Sequence, residues 1–140
     1  MDTKKFLLSA LAGIVGLFLS GGLLEELIFK GYMQKTIYQP MNVSLDQAPF
    51  WPILVMIFFM GLIMAYMYPK GYAGGSPATE GLRFGGLLGL FLGIPFALFL
   101  QMMFAVGFVA VLAVIVIYTV EVAAGGVLIG LVYGRIKPAE

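Results

Sequence analysis

The sequence predicts an all-α integral membrane protein, with four transmembrane helices in a compact bundle and both termini cytoplasmic. Three observations predict it. The 140 residues are 61% hydrophobic and only 11% charged, against about 25% charged in a typical soluble domain. A chain this short has too much surface to hide so much apolar side chain from water. The apolar residues also come in runs near the roughly 20 residues that a bilayer-crossing helix needs.

The spans follow in order, within a single domain over residues 1–140. The first covers about 6–29, the second 51–68, the third 81–104 and the fourth 108–134. The basic start and apolar stretch of "MDTKKFLLSALAGIVGLFLSGG" also fit a secretory signal peptide. The apolar character continues through Leu23, Leu24 and Leu27 to Phe29 with no A-x-A site, so an uncleaved first span is expected. Between Arg83 and Arg135 there is length for two spans, and a turn is expected at Ala105–Phe108, around Gly107. Lipid forces each span to be helical, because its backbone groups must be satisfied internally. The short alternating segments of a membrane barrel are not seen. Pro95 is expected to kink the third helix. Ser76, Pro77 and Glu80 read as an N-cap, a first helical residue and a favourable first-turn charge. The loop they close, 69–81, lacks the Gly-Lys-Ser/Thr ending of a nucleotide site. The segment 39–52, with three prolines, is expected to cap the bundle or lie along the membrane surface.

Charge sets the expected orientation. One side carries Lys4, Lys5, Lys70, Arg83, Arg135 and Lys137; the other carries Lys30 and Lys35 beside Glu25, Glu26 and Asp46. The positive-inside rule then puts both termini in the cytoplasm, as for a multi-pass protein of the plasma (inner) membrane. Trp51 at one interface and Tyr66, Tyr68 and Tyr133 at the other fit an aromatic belt. The net charge is +1 with scattered basic residues, so nucleic acid is not an expected partner.

Glycines recur every fourth residue, as Gly81, Gly85, Gly89 and Gly93 in the third span and Gly126, Gly130 and Gly134 in the fourth. The first span adds Ser9, Gly13, Gly16 and Ser20. Small residues let helices approach closely where lipid supplies little hydrophobic drive between them. The stripes serve packing within the bundle, or an interface with a homodimer mate or a membrane-protein partner. At 100° per residue, Gly126, Gly130 and Gly134 lie roughly 140–220° from Glu121, so the fourth helix has two special faces, nearly opposed.

Glu121 is the single charged residue between Phe84 and Gly134. An ionised carboxylate at mid-span costs a few kcal/mol or more, and apolar surroundings favour the neutral acid. Tyr118, one turn earlier, can donate to it; Ala124 and Gly125 leave space beside it. The expected role is a proton or ligand site, against a neutral carboxyl that ties two helices together. Glu25 or Glu26, with Gln101 and then Glu121, would form a graded polar path from one side. Reaching the other side would require Tyr66, Tyr118 or Thr119. The Glu26 and Lys30 pair also fits a simple helix-end ion pair.

Catalytic constellations are missing. There is no Cys and no His, which removes thiol chemistry, Ser-His-Asp sets and the commonest metal ligands. Met56, Met60, Met64 and Met67 share one helix face, where packing is a better reading than a Cu(I) site. No metal and no cofactor is expected.

In architecture the chain resembles small multidrug transporters, four-span proteins that carry an intramembrane Glu and assemble as dimers. It departs from them in placing that Glu in the fourth span rather than early in the first, and in a longer segment after the first span. Two functions are expected: a proton-linked small-solute or ion transporter or conductance using a buried Glu121, or a non-catalytic accessory or scaffold subunit docking through glycine stripes.

Overall fold

The computed structural model describes residues 3–24, 30–39, 41 and 49–136, and every regular element among them is helical. Helix α1 spans Thr3–Leu23, α2 Lys30–Met33, α3 Trp51–Gly71, α4 Pro77–Phe104 and α5 Phe108–Arg135. A π-helical stretch, Gln34–Tyr38, follows α2 directly. Helices α1, α3, α4 and α5 are long and apolar enough to cross a membrane. With 28 residues each, α4 and α5 are about 42 Å long at 1.5 Å per residue. That exceeds a hydrocarbon layer of about 30 Å, so these two helices tilt or protrude. Their outward faces carry exposed Leu87, Phe91, Leu98 and Val116, a surface that only an apolar solvent suits.

Local chemistry explains the helix ends. Ser76 occupies the N-cap of α4, but its hydroxyl makes no capping bond; Pro77 begins the helix, and the Glu80 amide donates to the Ser76 carbonyl at 2.9 Å. Helix α4 continues through Pro95 as one element. It stops where Ala105 turns left-handed (φ 49°), its amide donating to the Gln101 carbonyl. Gly107 then starts α5 with extended backbone, and its carbonyl accepts from both Ala110 and Val111.

Among the long helices, α5 packs extensively against α4 and α1, α1 packs against α3, and α3 touches α5 and α4 more lightly. Helix α5 is central, and both of its special faces are covered by the same chain. On one face, a Cβ at Gly85 would fall 2.5 Å from the Val122 carbonyl oxygen, one at Gly89 2.7 Å from the Thr119 Cα, and one at Gly93 3.0 Å from the Tyr118 Cβ. Gly81 abuts Gly126, while Gly130 and Gly134 abut Pro77. On the other face, Gly16 lies against Gly125, where a Cβ would come within 2.9 Å of the Gly125 Cα; Gly13 lies against Ile129. Gly61 of α3 fits against Ile14 and the Ala10 carbonyl of α1.

These contacts run antiparallel and gather Lys4, Lys5, Lys70, Arg83 and Arg135 at one end of the molecule, the basic end. An aromatic cluster closes it. The Tyr68 ring makes edge contacts with Phe84 and Tyr133 at 5.6 and 5.4 Å, and the Lys5 ammonium sits 3.8 Å from the centre of the Tyr133 ring. A core of Leu17, Ile57, Met64, Tyr68, Val122 and Ile129 continues from it. A second core, at the far end, joins Met33 and Ile37 to Ala97, Leu100, Val114 and Ile117. Helix α2 and the π-helical stretch therefore pack alongside α4 and α5.

A larger residue at Gly85 must push backbone against backbone, whereas Gly86, one position on, has open space around its Cβ direction. Overpacking of this kind costs about 1–3 kcal/mol. Gly85→Leu is therefore expected to lower the thermal midpoint in detergent markedly, with Gly86→Ala leaving it unchanged or slightly raised. Equal midpoints for the two variants would contradict the α4–α5 packing.

Candidate functional site

Glu121 is the fourteenth of the 28 residues of α5. Its side chain crosses to α1, where a Cβ at Gly21 would fall 2.6 Å from Oε1 and 3.1 Å from Cδ. The glycine makes that approach possible: any side chain at position 21 would meet the carboxyl group. Next to it, the Ser20 hydroxyl donates to the Gly16 carbonyl at 2.7 Å and stands 3.3 Å from the Glu121 carbonyl. The α1–α5 crossing thus ends on a polar point.

A cavity of about 300 Å³ opens between α1, α3 and α5, lined by Leu17, Phe18, Gly21, Gly22, Phe50, Ile53, Met56, Ile57, Tyr118 and Glu121. It extends from mid-span toward the far end, where α3 begins. Glu121 is half-buried, not sealed, and no charged residue among the described ones is fully buried. The expectation of a buried glutamate is corrected accordingly. The physical reason is that α1, α3 and α5 leave a cavity at this level, so the carboxyl lies on its wall rather than inside a packed core.

Tyr118 stands beside Glu121 and also lines a second cavity of about 150 Å³, walled by Met33, Ile37, Tyr38, Met41, Phe96 and Leu100. Its ring is a shared wall between the two spaces, held against Phe96 at 5.2 Å between ring centres. Glu121 and Tyr118 are thus brought together. Gln101 lines neither cavity. Glu25 and Glu26 lie outside the described residues, as do Asp46 and Lys137. The other proposed path members are occupied elsewhere: the Thr119 hydroxyl donates to the Ile115 carbonyl at 2.7 Å, and Tyr66 is exposed beneath the Lys70 ammonium. The space expected beside Gly125 is filled by Leu17 and the backbone of α1.

Sequence reasoning missed the α1 and α3 contributions. Gly21 was the available signal, since a glycine inside an apolar helix carries an entropic cost that close approach explains. Nothing in the sequence marked Phe50, Ile53 and Ile57 as cavity wall. Of the methionine stripe, Met64 is fully buried in the core, and Met56 alone reaches the cavity. Among the described residues no cluster of metal-ligating side chains is present.

The fold and site together define a class: an all-helical chain with four helices of membrane-crossing length and apolarity, and one carboxylate on an apolar mid-span cavity. Compared with known protein families, with curated proteins and with solved structures, the chain has no significant match in any of the three.

The contact at Gly21 yields a paired test. Gly21→Ala displaces the flexible end of Glu121 into the cavity, while Gly22 has open space. A lipid-soluble carbodiimide that modifies carboxyl groups is expected to label Glu121 faster in Gly21→Ala than in the wild type, and at the wild-type rate in Gly22→Ala. Equal rates for all three would show that the carboxyl does not bear on position 21.

Proposed function

We propose that this protein is a small membrane transporter or conductance in which Glu121 takes up and releases a proton, alone or together with a small solute. The observation that carries the reading is a mid-span carboxylate on the wall of a cavity of about 300 Å³ whose lining, among the described residues, is otherwise apolar apart from one phenol, Tyr118. An ionisable group at this depth is costly and is normally retained for function. A sealed structural carboxyl would need no cavity. The cavity's position in one half of the membrane span fits a half-channel, whose completion requires a movement of α3 or of the Tyr118 ring.

Orientation follows from charge. The basic end, with Lys4, Lys5, Lys70, Arg83 and Arg135, is assigned to the cytoplasm, in a plasma (inner) membrane. Both termini then face the cytoplasm, and the cavity faces outward. The second reading is a scaffold subunit docked through glycine stripes; the transporter reading is preferred because Gly81, Gly85, Gly89 and Gly93 are used in packing against α5 of the same chain.

The test uses purified protein in liposomes under a potassium diffusion potential, with an entrapped pH-sensitive dye. Wild-type protein is expected to pass protons, Glu121→Gln to reduce the flux to that of empty liposomes, and Glu121→Asp to retain part of it. No flux in the wild type, or equal flux in Glu121→Gln, overturns the reading.

A further inference from the structure

Helices α1 and α5 touch along Gly13, Gly16, Gly125 and Ile129. Outside that seam, toward the surrounding medium, they leave a groove of about 560 Å³ in the half nearest the basic end. Its walls include Leu11, Ala12 and Val15 of α1 and Leu128 and Leu131 of α5, and Arg135 stands at its end. Ala12 is what keeps the groove open, since its neighbours on that face are all larger. The groove is aliphatic along its length and cationic at its end. Arg135 is exposed in the last turn of α5, at the end that also holds Lys4 and Lys5.

We infer that this groove binds one anionic phospholipid, with an acyl chain along Leu11, Val15 and Leu128 and the phosphate on Arg135. The position supports that occupant. The groove lies on membrane-spanning helices, where hydrocarbon is the solvent, and its charged end falls at the level of the headgroups. The charge supports it too. A guanidinium offers a planar pair of donors that matches phosphate, and the nearby lysines favour a lipid whose net charge is negative over a zwitterionic one. A soluble phosphate compound would have no use for the aliphatic walls. The inference stands apart from the role of Glu121, which lies on the other side of the α1–α5 crossing.

The experiment places the protein in nanodiscs of equimolar phosphatidylglycerol and phosphatidylcholine, and native mass spectrometry then counts the lipids that stay bound on release. Wild-type protein is expected to retain phosphatidylglycerol preferentially. Arg135→Gln is expected to cut that preference about fivefold, the weight of one basic side chain at an anionic surface. Ala12→Phe fills the groove and is expected to abolish retention of both lipids, while Leu87→Phe, on the exposed face of α4, leaves retention as in the wild type. An undiminished preference in Arg135→Gln overturns the inference, as does undiminished retention in a helical Ala12→Phe. Should Ala12→Phe lose its helical circular dichroism, the Arg135→Gln comparison decides alone.

Discussion

The backbone of α5 is touched from two sides, and the rest of the molecule depends on that contact. In lipid, apolar side chains gain little by leaving one apolar surround for another, so helix association rests on close van der Waals approach. Here the approach is supplied by glycine. Gly81, Gly85, Gly89 and Gly93 bring α4 against the carbonyls and α-carbons of α5, and Gly13 and Gly16 bring α1 against its opposite face. Helix α3 is held through α1, by Gly61, and through the aromatic cluster around Tyr68. Two seams and one clamp hold the four long helices together.

The candidate site is a consequence of where those seams end. The α1–α5 seam runs from Gly13 against Ile129, through Gly16 against Gly125, to Gly21 against the Glu121 carboxyl. Up to that last contact the helices are too close for anything between them. Past it the cavity opens between α1, α3 and α5, with Phe18 of α1 against Phe50 at the start of α3. The carboxylate therefore sits at the boundary between the tightly packed and the hollow part of the molecule. Tyr118 sits one turn further on, between the hollow on the α3 side and the smaller hollow under Met33 and Ile37.

The helical class and the four long spans were legible in the sequence, because composition and run length alone exclude a soluble domain and because lipid leaves few alternatives. Glu121 was legible as the one charge in a long apolar stretch. Its degree of burial was not, since that depends on how α3 packs against α1 and α5, and the apolar residues of α3 look alike whether they face a core, a cavity or lipid. Ile53 and Ile63 have the same sequence character, yet only Ile53 lines the cavity. The placement of Met33 and Ile37 against α4 and α5 was likewise invisible, because the stretch that holds them carries no signal of its own, and the cap expected of 39–52 lies mostly outside the described residues. Helical angles identified two opposed faces on α5, and the fold sets helices of the same chain, α4 and α1, against them.

The account stands on the glycine face of α4 meeting α5 within one chain. The chain has no cysteine, so a pair can be introduced cleanly at Gly93 and Tyr118, where a Cβ at position 93 would fall 3.0 Å from the Cβ of residue 118, within about 1 Å of the mean Cβ separation in a disulfide. Oxidation of the double variant in membranes is predicted to give a bridged monomer, and no covalent dimer when two differently tagged chains are expressed together. Covalent heterotagged dimers, with little bridged monomer, would contradict it.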